Sequence, residues 1–137
     1  MDLSIVIVSY NSTAVLLATL AAIYRHPPET SYEVVVVDSG STEDVLGAVR
    51  TAYPRVQTIA SAENIGFARG CNLGTLATSG RYVLYLNPDT EVQPGALPGL
   101  VRFADSRPEA SAYTCRLINP DGTLQFSCFR FPNLRMA

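Results

Sequence analysis

The sequence predicts an α/β domain built on parallel strands, and three observations lead there. Two strand-length runs, Leu3-Ser4-Ile5-Val6-Ile7-Val8 and Glu33-Val34-Val35-Val36-Val37-Asp38, are rich in β-branched apolar residues along their whole length instead of alternating with polar ones. Such runs suit strands covered on both faces. A helical interval lies between them, and strand-like and helix-like segments keep alternating for most of the 137 residues. The chain is 47% hydrophobic and 16% charged, enough at this length for one self-supporting core without disulfide or metal staples.

Each element has its own signals. Asn11-Ser12 offers a cap to a helix over Thr13–Arg25, whose Leu16, Leu20 and Ile23 fall on one stripe. His26-Pro27-Pro28 ends it, with His26 placed as a C-terminal cap. Ser41-Thr42-Glu43-Asp44 has capping-box spacing and opens a second helix to about Tyr53, which Pro54 stops. Residues 56–60 read as a third strand, 66–78 as a small-residue helix, 81–86 as a fourth strand and 95–104 as a helix after Pro94. The alternation implies a doubly wound sheet. After it, residues 110–117 look extended, Asn119-Pro120-Asp121-Gly122 is a turn, and 123–131 resume extended structure, a hairpin-like addition.

Composition narrows the function classes. The net charge is −2, and the ten cations, all arginine, are scattered without a run or stripe, which disfavours nucleic acid as a partner. Cys71, Cys115 and Cys128 form an odd set without CxxC spacing and read as core thiols in a reducing compartment. No apolar run approaches the ~20 residues that span a bilayer. Met1-Asp2-Leu3 enters a strand without a basic leader, so the expected location is cytoplasmic.

In open α/β sheets ligands bind beyond the carboxyl ends of the strands, where strand order reverses. The strand tips here are polar: Ser9-Tyr10-Asn11, Asp38-Ser39-Gly40-Ser41 and Asn87-Pro88-Asp89-Thr90. They suit a polar ligand, although solvated turns would read the same way. Asp38, directly after four valines, is placed to accept hydrogen bonds from a ribose hydroxyl or a base N–H, and its alternative is a helix cap. Ser41 already supplies a cap at that place, leaving Asp38 freer for a ligand. Asp89 stands on a loop stiffened by Pro88; one carboxylate is too few for a calcium cage but suits Mg²⁺ or Mn²⁺, and its alternative is an Asx-turn or N-cap. Glu63-Asn64-Ile65-Gly66-Phe67-Ala68-Arg69-Gly70-Cys71-Asn72 turns a loop into a helix and could receive an anion at the helix start, or serve close helix–sheet packing.

Taken in order, Val8-Ser9-Tyr10-Asn11, Val36-Val37-Asp38-Ser39-Gly40-Ser41-Thr42, Asn64-Ile65-Gly66-Phe67-Ala68 and Leu86-Asn87-Pro88-Asp89-Thr90 resemble family 2 inverting glycosyltransferases, in particular the rhamnosyltransferase-like branch. Asn119-Pro120-Asp121-Gly122-Thr123-Leu124-Gln125 and Arg130-Phe131-Pro132 extend the likeness over nearly the whole chain. The resemblance implies a GT-A-like, three-layer α/β/α domain with a mostly parallel mixed sheet, truncated at the C-terminus. It implies one domain, with residues 1–90 as nucleotide-binding core and 91–137 as the start of an acceptor-side region.

Carried over by position, Ser9, Tyr10 and Asn11 would line the nucleotide pocket, Asp38 would contact the base or ribose, and Ser39 would belong to the same nucleotide-sugar site. Asn64, Gly66 and Phe67 would shape the nucleotide–sugar side. Asn87-Pro88-Asp89 stands where the family has its Asp-x-Asp motif; with Asn first, a Mg²⁺ or Mn²⁺ would rest chiefly on Asp89. The implied reaction transfers a sugar, with inversion, from a UDP- or dTDP-sugar to a polysaccharide or lipid-linked acceptor, at the inner face of the membrane if the acceptor is lipid-linked. The catalytic base is expected beyond residue 137. The alternative is a non-catalytic nucleotide-sugar-binding or assembly module. A sheet surface left open by the truncation would favour homo-oligomers. A nucleotidyltransferase or a dinucleotide-dependent dehydrogenase fits less well, because neither an arginine-containing glycine loop nor GxGxxG follows the first strand.

Overall fold

A computed structural model describes residues 1–126. The elements run β1 (Leu3–Ser9), α1 (Thr13–Arg25), β2 (Tyr32–Ser39), α2 (Val45–Ala52), β3 (Gln57–Ser61), α3 (Gly66–Leu76), β4 (Tyr82–Leu86) and α4 (Ala96–Asp105). The strands form one sheet in the order β3-β2-β1-β4, and every pairing is parallel. The chain thus steps outward from β1 to β3, then returns to the other side of β1 as β4. Strand order reverses between β1 and β4.

The valine runs are explained by what covers them. Ile5, Ile7, Val34 and Val36 face Leu16, Leu20 and Ile23 of α1, Val45 and Val49 of α2, and Leu97 and Val101 of α4. On the opposite face Val6, Val8, Val35 and Val37 pack with Cys71 of α3. Three helices on one side and one on the other make the three-layer α/β/α domain. Alternate residues of β1 and β2 enter different cores, so neither strand has a solvent face to mark with polar residues.

α3 lies close to the sheet because two of its residues have no side chain. A Cβ on Gly70 would come within 2.7 Å of Val8 Cγ1, and one on Gly74 within 2.4 Å of Val6 Cγ1. Close packing is therefore part of what the glycine-rich segment does. At the amino ends of the strands, Glu33 accepts from the Ser79 backbone N–H (2.8 Å) and the Ser4 hydroxyl (2.7 Å), while Ser4 Oγ accepts from the Gly80 N–H (2.9 Å). These bonds join β1, β2 and the α3–β4 connection.

Several expectations need correcting. Ser41 does not cap α2; the helix starts at Val45, and the Asp44 side chain accepts from the Gly47 N–H at 2.9 Å. Ser12 occupies the N-cap of α1, but its hydroxyl is bonded to Ser9 Oγ at 2.8 Å. His26 is the C-cap of that helix, through its backbone N–H to Ala22 O. Residues 110–117 form no strand, because Tyr113 folds the segment back: its hydroxyl donates to Arg107 O and Ala110 O, and its ring meets Tyr82 and Phe103 edge-on. The Asn119–Gly122 turn is present, closed by the Gly122 N–H on Asn119 O at 2.9 Å, with a single antiparallel bridge from Ile118 to Leu124. Cys71 is buried, which pushes its thiol pKa up, whereas Cys115 is exposed and is not a core thiol. Cys128, Arg130-Phe131-Pro132 and the part from 127 onward of the expected extended segment lie outside the described residues.

Candidate functional site

The registers bring the strand tips to one edge: Ser9 pairs with Asp38, Ile7 with Leu86, and Ser39 with Ser61. The loops after β1, β2, β3 and β4 therefore meet beyond the sheet, and a crevice of about 380 Å³ opens there. Val8, Ser9, Tyr10 and Ser12 line it from the end of β1, Ser39 from β2, Asn64, Gly66 and Phe67 from the start of α3, and Pro88 from the loop after β4. A larger groove, about 430 Å³, runs along α1 and takes in Thr19, Arg25, Asp89 and Glu91. The smaller crevice is the better candidate, because it sits where strand order reverses.

The polar groups at its floor are held by each other. Ser39 Oγ donates to Asn64 Oδ1 (3.2 Å) and accepts from the Ile65 N–H (3.0 Å). Asn64 Oδ1 also accepts from the Gly66 N–H at 2.9 Å, which leaves its Nδ2 without a protein partner among the described residues. Gly66 has φ +74°, and the N-cap residue of α3, Ile65, supplies no side-chain cap. The positive end of that helix thus stands at the crevice, with Gly66 and Phe67 in the lining. The rings of Tyr10 and Phe67 are half-exposed at the same place, 50% and 54% accessible.

Asp38 and Asn11 stand one layer behind. Both carboxylate oxygens of Asp38 are engaged by Ser41, through its hydroxyl and, at 3.3 Å, its backbone N–H. The expectation that a capping Ser41 leaves Asp38 free is thereby corrected: this serine turns back onto the aspartate. Ser41 Oγ in turn accepts from the Asn11 N–H at 2.8 Å. Asn11 adopts the left-handed conformation, φ 47°, and its Oδ1 accepts from the Thr42 N–H (2.8 Å) and hydroxyl (3.1 Å). The first and second loops are thus laced together. Glu43 extends the lacing, accepting from the Thr13 hydroxyl and backbone N–H, so that a carboxylate from the second loop sits at the N-terminus of α1. That role for Glu43 was not visible in the sequence, where it read only as part of a capping box.

Of the expected residues, the crevice gathers Ser9, Tyr10, Ser39, Asn64, Gly66 and Phe67. It does not gather Asn87 or Asp89: Pro88 touches it, while Asp89 faces the groove along α1. The Asp89 carboxylate is exposed and has no hydrogen-bond or ionic partner among the described residues. No group of three or more His, Cys, Asp and Glu side chains able to hold a metal occurs among them either. One free carboxylate fits a cation that keeps water and ligand oxygens, not a closed protein cage.

Comparison with known proteins identifies the family and agrees with the fold. The family model described as Glycosyl transferase family 2 matches residues 4–132. N-acetylglucosaminyl-diphospho-decaprenol L-rhamnosyltransferase of Mycobacterium tuberculosis is 28% identical over 117 residues, 77% of this chain and 38% of that protein. Among solved structures, S. aureus TarS 1-349 in complex with UDP superposes with a TM-score of 0.70 at 25% identity, over 78% of this chain and 33% of that one. Mannosyltransferase PcManGT from Pyrobaculum calidifontis, in complex with GDP-Man and Mn²⁺, gives 0.67 at 26% identity, over 75% and 32%. The chain spans well under half the length of these proteins. No helix among the described residues is long and apolar enough to cross a membrane.

Proposed function

The chain belongs to glycosyl transferase family 2, and on that premise we propose that the crevice between β1 and β4 holds the nucleoside diphosphate of a nucleotide-sugar donor for transfer of the sugar, with inversion, to a polysaccharide or lipid-linked acceptor. The observation that carries this reading is the composition of the crevice. Two exposed aromatic rings, Tyr10 and Phe67, flank hydroxyls and an amide at the start of α3. An aromatic face suits a base, and helix N–H groups suit an anion. The UDP and GDP-Man complexes of similar structures support a donor of that class, and the name of the rhamnosyltransferase relative supports a lipid-linked acceptor.

Each residue then has a role. Ser9, Ser39 and the free Nδ2 of Asn64 supply hydrogen bonds to the donor. Asp38 reaches the base or ribose once Ser41 releases an oxygen. Residues 1–90 form the donor core, and residues from 91 onward begin the acceptor side. Asp89, with Asn87 beside it, is the residue that would hold Mg²⁺ or Mn²⁺, and the Mn²⁺ in the mannosyltransferase structure supports such a cation. When bound, it offsets the charge that accumulates on the departing diphosphate. Self-association through the outer edge of β4, where Tyr85 is 48% exposed, is part of the same reading.

A second reading is favoured by one observation. Inverting transfer requires a base near the acceptor hydroxyl. Among the described residues, those that line the crevice include no carboxylate and no imidazole. These residues could therefore serve as a binding module that needs further chain to turn over. Incubation with UDP- or dTDP-sugars, Mn²⁺ and a glycan acceptor, followed by NMR of the anomeric proton, separates the two. An inverted glycoside product supports the enzyme, and nucleotide binding without product supports the module.

A further inference from the structure

Threonines inside helices commonly return their hydroxyl proton to the carbonyl one turn back. Two threonines of this chain do so: Thr51 donates to Gly47 O and Thr75 to Cys71 O, both at 2.8 Å. Thr19 in α1 does not. Its side chain is 2% exposed, and its hydroxyl donates out of the helix to Pro88 O at 2.7 Å, across 69 residues of sequence. The receiving residue is the centre of the Asn87-Pro88-Asp89 segment. Pro88 has no N–H with which to fix itself, and the internal turn bond of the loop, the Thr90 N–H on Asn87 O, is long at 3.3 Å. The Thr19 bond is the shorter of the two, and its donor is buried.

The loop also divides the two cavities. Pro88 lines the crevice, Asp89 lines the groove along α1, and Thr19 lies in the wall of that groove. We infer that Thr19 is a positioning residue for the donor site: its hydroxyl clamps the Pro88 carbonyl, and so fixes how far the free carboxylate of Asp89 stands from a diphosphate in the crevice. This rests on the donor-site reading above. The clamp is short and joins α1 directly to the loop, so its loss frees the loop from the helix.

The test compares the parent with Thr19→Val, which keeps shape and removes the donor, and Thr19→Ser, which keeps the donor. Hydrogen exchange without ligand comes first. Thr19→Val should speed exchange of the amides of residues 87–91 but not those of β1, and Thr19→Ser should restore them. Calorimetric titration with UDP and with dTDP follows, with Mn²⁺ and again with a chelator. Thr19→Val should lose roughly fivefold to tenfold in affinity with Mn²⁺, the size expected for one hydrogen bond, and little with chelator, while Thr19→Ser stays near the parent. Unchanged exchange at 87–91 in Thr19→Val overturns the clamp. An equal loss with metal and with chelator overturns the positioning role, since it would report damage to the whole crevice. A parent that binds no UDP or dTDP overturns the donor-site reading itself, which the exchange data distinguish from failure of the clamp.

Discussion

Gly40 shows how one residue positions the crevice. Its φ is +73°, and a Cβ there would lie 2.5 Å from the Glu63 carbonyl carbon and 2.7 Å from the Asn64 nitrogen. Both are backbone atoms, which cannot swing aside. Gly66 has a similar φ, +74°, but a Cβ there would meet nothing within 4 Å. Gly66→Ala should therefore cost only the left-handed penalty, about 1–2 kcal/mol, whereas Gly40→Ala should cost more and also displace Asn64. Urea denaturation of the two variants checks the order, and equal losses would contradict it. Asp38 shows where the sequence could not be read at this scale. Its place after four valines was legible, but its engagement by Ser41 was not, because whether a serine caps a helix or turns back three residues depends on where the helix begins.

The β1-α1-β2 unit was legible because β-branched apolar runs of strand length on either side of a helical interval suit parallel strands covered on both faces, and β1 does pair with β2 in parallel. α3 was legible as a helix but ambiguous in purpose, since glycines serve both anion binding and close packing. The structure divides the labour: Gly66 opens the helix, while Gly70 and Gly74 face Val8 and Val6. Gly74→Ala should gain up to about 1 kcal/mol in helix propensity but lose about 1–3 kcal/mol to overpacking, a net destabilisation. Gly99→Ala in α4, where a Cβ meets nothing, should instead stabilise. Opposite shifts in thermal midpoint are expected, and a stabilised Gly74→Ala would show that α3 is free to move off the sheet. The segment 110–117 misled because a strand-like composition does not reveal a tyrosine hydroxyl that bends the chain onto its own carbonyls.

For the whole molecule, the amino edge of the sheet carries a pH-dependent tie. The Ser79 backbone N–H, followed by the Ser4 hydroxyl, holds the Glu33 carboxyl pKa below its ordinary value. A depressed folded-state pKa gives stability that is present above the unfolded value, about 4.3, and is lost as pH falls through the folded one. The gap in thermal midpoint between the parent and Glu33→Gln should therefore be widest near neutrality and shrink on acidification below about pH 4. A gap independent of pH would remove Glu33 from the acid limb.

At the carboxyl edge the same sheet brings its loops together at the crevice, as the ordered polar strand tips foreshadow. Calorimetric titration of the parent and Asp89→Ala with UDP and dTDP, with Mn²⁺ and with a chelator, tests whether a donor nucleotide binds there. Saturable binding of at least one nucleotide by the parent is expected, weakened by chelation and by Asp89→Ala. Absence of binding to either nucleotide, with the protein folded and Mn²⁺ present, would contradict the donor-site reading.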